Sequence, residues 1–255
     1  MTSEQRFGFE WNHYDQLDPQ YELQFKNWVA PLGVHDFSGK TVLDAGCGMG
    51  RNSYWALKWG ASEVTAFDYD ERTVVAATRN LKEFPNAGVV FKSIYDINWQ
   101  DSFDIAFSIG VIHHLAYPAK ALANMVRAIK PGGILLIWVY GYDGNEWIPK
   151  YIDPIRKNIT AKLPVWVVYW LAYLFSIPLW LVIKLFHGPT AYLRQLANFK
   201  FWHVHSIVFD QLIPTVANYW KRDEVAELLA QLSVANIKIQ HPPNGNGWTA
   251  IAIKK

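Results

Sequence analysis

The sequence predicts an α/β fold in which a doubly wound, Rossmann-like sheet carries an inserted helical cap. Three observations lead to this prediction. Strand-like apolar runs alternate with helix-length segments over residues 40–140, one more helix and two strand-like runs occupy 221–254, and an aromatic-rich stretch at 141–220 separates the two blocks. Strands that alternate with helices of this length form parallel sheets with right-handed crossovers.

The N-terminal segment, residues 1–37, is predicted to form a partly helical cap. Asp18 and Pro19 read as an N-cap followed by proline at the first helical position. Downstream of them, Tyr21, Phe25, Trp28 and Val29 recur at the spacing of a single helix face. We therefore expect one helix of this segment to pack on the core.

Residues 38–140 and 221–255 are predicted to form the core. The expected strands are 41–43, 63–67, 88–92, 103–109 and 134–140, with helices ending at 59 and spanning 71–83 and 119–129. A turn is expected at 130–133, where the sequence reads Lys-Pro-Gly-Gly. The C-terminal block adds a helix at 221–232 and strands at 235–240 and 248–253, joined by a hairpin at 244–247.

Composition narrows the possible functions. The 255 residues are 51% apolar and 18% charged, which suits a buried core, and the net charge of +2 argues against the basic stripe of a nucleic-acid groove. A single cysteine, Cys47, excludes a disulfide framework and a cysteine-ligated metal cluster. The N-terminal residues lack the apolar core of a secretory signal, which predicts a cytoplasmic protein.

A glycine-rich loop follows the first predicted strand. Gly46, Gly48 and Gly50 allow a tight turn and let a ligand approach main-chain amides at a helix N-terminus. The nicotinamide fingerprint would need glycine where Arg51 stands, and the Gly-Lys-Ser/Thr of a phosphate-binding loop is absent. Asp44, which precedes the first glycine, would repel a pyrophosphate but suits a cationic ligand.

Four segments carry a family resemblance. Residues 42–50, VLDAGCGMG, resemble motif I of the class I S-adenosylmethionine-dependent methyltransferases. Residues 102–115, SFDIAFSIGVIHHL, are similar to the fourth-strand region of the small-molecule, type 11 branch, which includes ubiquinone and menaquinone methylases. Asp68 and the 130–133 turn match that branch as well. The resemblance implies a seven-stranded sheet with an antiparallel last strand and S-adenosyl-L-methionine as the cofactor.

The resemblance also implies roles for particular residues. The donor is expected to lie against the glycine loop, with its ribose hydroxyls on the acid that ends strand two and with residues 7–11 closing over it. In the family an Asp commonly contacts adenine, but Ser93 stands at that position, so backbone or stacking on Tyr95 are alternatives. The expected cofactor-binding residues are Asp44, Gly46, Gly48, Gly50, Asp68, Tyr69, Ser93, Ile94 and Ile109.

Methyl transfer from a sulfonium requires alignment of donor and acceptor, and a base only when the acceptor must lose a proton. The candidate bases are His113 and His114, just past the fourth strand. His203 and His205 share one face if 201–209 is extended, and Asp210 follows as an orienting or basic partner. A structural role for these histidines stays open, as does a metal site with His187 as third ligand, although no metal is expected.

Residues 163–183 form an uncharged run of 21 residues that would be ~30 Å long as a helix. A single membrane crossing would separate the two parts of the sheet, so the run must fold back, lie flat on a membrane or be buried. Pro178 predicts a break near its middle. A substrate lid, a buried helical subdomain and a peripheral membrane contact through 163–186 all remain open, and we adopt the lid as the interpretation.

These expectations combine into one functional hypothesis: S-adenosylmethionine-dependent methylation of a small, apolar or lipid-like acceptor at oxygen or carbon. The alternatives are a sugar or nucleotide-sugar acceptor, with Asn145, Glu146 and Arg156 facing in, and a non-catalytic protein that binds the cofactor as a membrane or assembly partner. Amino-group methylases of nucleic-acid bases carry an Asn/Asp-Pro-Pro-aromatic motif where residues 108–111 read Ser-Ile-Gly-Val. No nucleic-acid partner is therefore expected.

Overall fold

The structure is a computed structural model that describes residues 3–186, 190–243, 245 and 247–255. Its centre is a seven-stranded sheet in the order β3-β2-β1-β4-β5-β7-β6. Strands β1 to β5 run parallel, and β7 is antiparallel to both β5 and β6, which confirms the predicted fold class. The strands are β1 Thr41–Ala45, β2 Glu63–Asp68, β3 Ala87–Phe91, β4 Phe103–Ile109, β5 Ile129–Val139, β6 Val234–Gln240 and β7 Trp248–Lys254.

Helices cover both faces of the sheet. One face is packed by residues such as Leu122 and Leu229, and the other by residues such as Phe25 and Leu57. The helices are α1 Ser3–His13, α2 Tyr21–Val29, α3 Val34–Phe37, α4 Arg51–Lys58, α5 Glu71–Asn80, α6 Pro118–Ala128, α7 Asp153–Asn158, α8 Val165–Phe186, α9 Ala191–Leu196, α10 Phe201–Leu212 and α11 Arg222–Ala230.

The expected start of α2 is displaced. Asp18 does not cap the helix directly; its carboxylate accepts from the Gln20 amide, and its carbonyl accepts from the amide of Tyr21, the first helical residue. These bonds make a turn that leads into α2. The predicted buried face is present, since Phe25, Trp28 and Val29 are all buried against the sheet.

The expected turn at 130–133 is part of β5 instead. Strand β5 begins at Ile129, and its pairing with β4 shifts from Phe103 opposite Ile129 to Ile105 opposite Ile134. The extra residues form a bulge, where one strand carries more residues than its partner. Gly133 is needed there because a side chain would begin 2.8 Å from the carbonyl oxygen of Asp104.

The segment between β5 and α11 holds α7 to α10, with a π-helical turn at Ile148–Ile152 before α7. Two expectations for it are wrong. Helix α8 runs unbroken through Pro178, and residues 201–209 are helical, not extended, because they lie in α10. Helix α8 packs on α10 through Val168, Ala172 and Phe209. Within the predicted hairpin, Asn244 and Asn246 lie outside the described residues.

Candidate active site

A cavity of about 1160 Å³ lies at the carboxyl edge of the sheet. This is the edge where open α/β folds bind ligands, beside the point at which the strand order reverses between β1 and β4. The cavity extends from the glycine loop to the helices of the segment after β5. Pockets for a single small ligand usually measure roughly 300–1,000 Å³, so this cavity has room for a donor and an acceptor together.

The glycine loop forms one wall of the cavity. Gly46, Gly48 and Gly50 have φ values of 81°, 54° and 83°, a region that side chains disfavour. Gly46 and Gly48 line the cavity, and a Cβ at Gly46 would lie 2.6 Å from the Val111 side chain. Gly50 turns the chain into α4 and faces Ala77 behind the loop, so it shapes the site without lining it.

Asp44 also lies behind the loop. Its side chain is fully buried and does not line the cavity. One carboxylate oxygen accepts a 2.6 Å hydrogen bond from Ser53 Oγ, while Oδ1 has no partner among the described residues. Burial raises the pKa of Asp44 to about 7. The expected direct contact between this carboxylate and a cationic ligand is therefore corrected: Asp44 supports the loop from beneath.

Asp68, at the end of β2, faces the cavity with its orientation fixed. Its Oδ2 accepts from the Gly48 amide at 3.0 Å and its Oδ1 from the Tyr69 amide at 2.8 Å. Burial raises its pKa to about 6, and the two amides act in the opposite direction. A carboxylate held this way presents its remaining lone pairs to two neighbouring hydroxyls, which suits a ribose diol.

A second wall of the cavity, at the end where the glycine loop lies, is formed by the segment after β3 and by β4. Ser93, Ile94 and Ile109 line the cavity, together with the exposed ring of Tyr69. Ser93 Oγ accepts from the Tyr95 amide at 3.1 Å, and the Tyr95 hydroxyl accepts from the Tyr117 amide at 3.1 Å. Small polar, apolar and aromatic groups thus surround the position expected for adenine.

Helix α1 closes over the glycine loop. Phe7, Glu10 and Trp11 line the cavity, and the Trp11 indole lies 3.4 Å from where a Cβ of Gly48 would be. Gly8 packs against the Asp70 carboxyl group, which a Cβ at this position would overlap. Residues 7–11 were expected to close over the donor, and α1 places them there, with their inner side toward the glycine loop.

A chain of hydrogen bonds lines the middle of the cavity. The Tyr219 hydroxyl donates to Gln211 Oε1 at 2.9 Å, Gln211 Nε2 donates to the Tyr140 hydroxyl at 3.0 Å, and Tyr140 donates to Asp210 Oδ2 at 2.9 Å. All four side chains line the cavity. Burial raises the pKa of Asp210 to about 6, although its bond from Tyr140 lowers it.

Two further charged groups face the same region. Glu10 is 1% exposed, and its Oε2 has no partner among the described residues. Burial and the nearby Asp210 raise the pKa of Glu10 well above its usual value, and Arg51 opposes that shift. Arg51 begins α4, lines the cavity and lies over the rings of Trp11 and Trp28, at 4.9 and 5.1 Å from their centroids.

Of the paired histidines, His114 alone lines the cavity. Its Nδ1 donates to the Val216 carbonyl at 2.8 Å, which leaves Nε2 as the acceptor of the neutral ring, and burial lowers its pKa to about 3. His113 is fully buried outside the cavity. It stacks on the Tyr140 ring at 3.7 Å and accepts from the Tyr140 amide at 3.3 Å, so it positions that tyrosine.

The other two histidines do not share a face. Because α10 is a helix, residues two apart point in nearly opposite directions. His203 lines the cavity and bonds Gln24 at 3.0 Å, whereas His205 is buried between helices and bonds Ser176 at 2.7 Å. The expected pairing of His205 with Asp210 is therefore wrong. The described residues contain no cluster of three metal-ligating side chains, and His187 lies outside them.

Four residues of the cavity were missed or undervalued from sequence. A signal existed for two of them: Arg51 directly follows the last loop glycine, and Tyr140 directly follows a buried strand at the ligand-binding edge. Gln211 carried no such signal, and Glu10 was expected at the site only as part of the stretch 7–11. Their positions depend on how α10 and α1 fold over the sheet, and that packing is not visible in a local pattern.

The strand order and the glycine loop are those of the class I methyltransferase fold. A family model described as a methyltransferase domain matches residues 43–137, and the small-molecule type 11 branch of S-adenosylmethionine-dependent enzymes fits. Magnesium protoporphyrin IX methyltransferase from Synechocystis, solved with bound SAH, has a similar fold, with a TM-score of 0.59, 14% identity and coverage of 97% of this chain and 94% of that one.

Two relatives that match the chain are named for different acceptors. The chain is 29% identical to a tRNA U34 carboxymethyltransferase from Idiomarina loihiensis over 137 residues, and 40% identical to a ribosomal protein L11 methyltransferase from Burkholderia mallei over 131 residues. Each match covers 51% of this chain and 42% of the relative, so the chain spans less than half of their length. The expected absence of a nucleic-acid partner stays a prediction.

Proposed function

We propose that the protein transfers a methyl group from S-adenosylmethionine to the hydroxyl oxygen of a small acceptor with an apolar body. One observation carries the proposal: a single cavity joins the glycine loop and Asp68 at one end, a polar chain ending in Asp210 in the middle, and an apolar pocket at the other end. Carbon as the accepting atom is disfavoured, because the polar chain ends in a group suited to removing a hydroxyl proton.

The donor end fits a ribose-containing sulfonium. Asp68 offers a carboxylate to the diol, Gly46 and Gly48 allow close approach to main-chain atoms, and Arg51 supplies a cation for the carboxylate of the methionine moiety. When bound, S-adenosylmethionine supplies a methyl group on a positively charged sulfur. Helix α1 and the glycine loop exclude water from this end, which favours displacement over side reactions.

The acceptor end is apolar. Its lining includes Ile148, Ile152, Leu193, Leu196 and Ile207. A sugar acceptor would require polar walls; of the three residues expected to supply them, Asn145 lines the cavity, whereas Arg156 and Glu146 do not. Arg156 is buried in an ion pair with Asp153, and Glu146 accepts from the Gly144 amide outside the cavity. These contacts support an acceptor whose bulk is hydrocarbon or aromatic.

Asp210 is the proposed general base. The new C–O bond forms as the C–S bond breaks, and the hydroxyl proton passes to Asp210 Oδ2 directly or through the Tyr140 hydroxyl that donates to it. A base is most effective when its pKa lies near the working pH. Asp210, with a pKa of about 6, meets this condition better than His114, whose pKa is about 3.

A radiolabelled-methyl assay tests the proposal. The purified protein is incubated with methyl-labelled S-adenosylmethionine and, separately, with hydroxylated apolar compounds, sugars, nucleotide sugars and tRNA. We expect label to move to an apolar hydroxyl compound. Label on tRNA or on a sugar alone would contradict the proposed acceptor class. Donor binding without transfer to any acceptor in the panel would contradict catalysis and favour the non-catalytic alternative.

A further inference from the structure

Helix α8 carries an exposed apolar stripe along its whole length. The stripe consists of large side chains at the spacing of one helix face, each between 45% and 70% exposed, and we call it the α8 face: Trp166, Trp170, Leu174, Ile177, Leu181 and Leu185. The helix has a mean hydropathy of 1.9, but only 28% of its apolar window is buried. A contiguous apolar surface of this kind indicates an interaction site.

The opposite side of α8 is fixed to the protein. Val168 and Ala172 are fully buried against α10, and the buried Ser176 hydrogen bonds to His205 at 2.7 Å. Strand β5, which precedes the segment, pairs along six positions with β7, which comes after the segment in the chain. Helix α8 is long enough to cross a membrane, but these contacts hold it against the domain, so the α8 face is available only to something that lies alongside it.

The exposed charges of the segment that carries the α8 face are mostly positive. From residue 141 to residue 220 the chain has seven Lys or Arg residues and four acidic residues, of which Asp143 and Glu146 are exposed. Asp153 is buried and pairs with the buried Arg156, so it presents no exposed negative charge. The remaining Lys and Arg side chains are all exposed: Lys150, Lys157, Lys162, Lys184, Arg194 and Lys200. The segment thus combines exposed apolar and aromatic side chains with positive charge.

We propose that the α8 face docks onto the surface of an anionic lipid bilayer, with the helix lying in the plane of the interface. Tryptophan side chains favour the boundary between headgroups and acyl chains, and surrounding Lys and Arg are attracted to anionic headgroups. A second copy of this chain fits less well, because symmetric pairing through this segment would place its exposed bases opposite one another.

The cavity reaches the exposed surface next to the α8 face. Trp147, Ile155 and Phe175 line the cavity and are 54%, 42% and 57% exposed. Phe175 adjoins Leu174 of the α8 face. Docking would therefore place an apolar rim of the cavity at the bilayer, where an apolar acceptor is concentrated. This inference goes beyond the proposed function, because docking requires no methyl transfer.

Vesicle flotation tests the docking. The full chain is mixed at low salt with vesicles of phosphatidylcholine alone, or with added phosphatidylglycerol. We expect flotation with the anionic vesicles, loss of it at high salt, and little with phosphatidylcholine alone. The double variant Leu174→Gln/Leu185→Gln, at positions 68% and 70% exposed, should bind anionic vesicles at least tenfold more weakly. Val75→Gln, at a position 66% exposed on α5, is the matched control and should float like the parent.

Three results would overturn the proposal. The first is a parent protein that stays unbound with anionic vesicles at low salt, and the second is a double variant that floats as well as the parent. The third is a parent protein that is dimeric in solution while the double variant is monomeric. That result would assign the α8 face to a second copy of the chain. Donor binding, measured by calorimetry on the same variants, is expected to be unchanged, so failure of docking and failure of the proposed function are separable.

Discussion

At the residue scale, the proposed base is identified by its place at the end of the hydrogen-bond chain in the middle of the cavity together with its raised pKa. Asp210 titrates near pH 6 because burial disfavours its charged form. We expect kcat of the parent, measured with donor and acceptor saturating so that protonation of Asp68 in the free enzyme does not contribute, to fall about tenfold per pH unit below about 6 and to level off above it, because the base becomes protonated at low pH. Asp210→Asn should lower kcat roughly 10²–10⁴-fold and remove this acid limb.

The pH profile of the labelled-methyl assay measures the effect. His205→Asn is the matched control, since His205 lies outside the cavity and bonds only within the helical segment, and it should keep the parent profile. An Asp210→Asn variant with the parent's acid limb would show that another group accepts the proton.

Asp68 provides a test of the donor site. Asp68→Ala removes the carboxylate that two main-chain amides orient toward the cavity. We expect donor affinity to weaken by ~1.5–3 kcal/mol, the loss of charge-assisted hydrogen bonds. Calorimetry with S-adenosylhomocysteine measures this, and Asp223→Ala, at an exposed position on α11, is the control. Unchanged affinity would mean that the ribose binds elsewhere.

Asp44 makes a prediction about stability. Its folded pKa of about 7 lies above the unfolded value of 3.8, so its contribution to stability is present at low pH and is lost as pH rises through about 7. Asp44→Asn removes this loss. Between pH 6 and 8, without ligand, the free energy of unfolding of the variant should improve relative to the parent by ~1.4 kcal/mol. Urea unfolding of both proteins at pH 6 and pH 8 measures this change. If the free energies of unfolding of the variant and the parent differ by the same amount at both pH values, the account is contradicted.

Single residues were predictable from sequence where a motif fixes backbone and position together. Gly46 and Gly48 lie where the loop pattern places them, because one strand-turn-helix unit builds the loop, and Asp68 lies where the resemblance places it, at the end of the next strand. Asp44 was expected to contact the ligand but lies buried behind the glycine loop, because sequence does not show which side of a loop a carboxylate faces. Asp210 was identified, but its partner is Tyr140 from a distant strand and not a nearby histidine.

At the scale of elements, the strands were easier to predict than the helices of the segment after β5. The strand β4 was predicted with its observed bounds, because a buried parallel strand is a short apolar run with polar residues at each end. Residues 201–209 are equally apolar and form a helix. Their packing against α8 decides this outcome, and periodicity alone does not separate a buried strand from a buried helix.

Helix α1 makes a prediction at the same scale. In a free helix, Gly→Ala stabilises by ~1 kcal/mol, but a Cβ at Gly8 overlaps the Asp70 carboxyl group. Gly8→Ala should therefore destabilise the fold by ~1–3 kcal/mol and weaken donor binding, because α1 must move off the glycine loop. Gly33→Ala, where nothing lies within 4 Å of the new atom, is the control. Increased stability with unchanged affinity would contradict the observed packing.

At the scale of the whole molecule, the doubly wound sheet followed from the alternation of strands and helices, and its seven strands with an antiparallel last strand followed from the resemblance. The C-terminal strands complete the sheet beside β5, although the segment that ends at residue 220 separates them in the chain. That segment is what local patterns could not place. Its inner side closes the cavity through Asp210 and Gln211, and its outer side exposes the α8 face.

The central claim is that the cavity's glycine loop and Asp68 hold S-adenosylmethionine. Isothermal titration of the full chain with S-adenosylmethionine, and separately with NAD and ATP, tests it most directly. The account predicts saturable binding of the sulfonium donor at one site per chain and no heat from the other two. Binding of NAD or ATP in its place, or no binding of the donor at millimolar concentration, would contradict it.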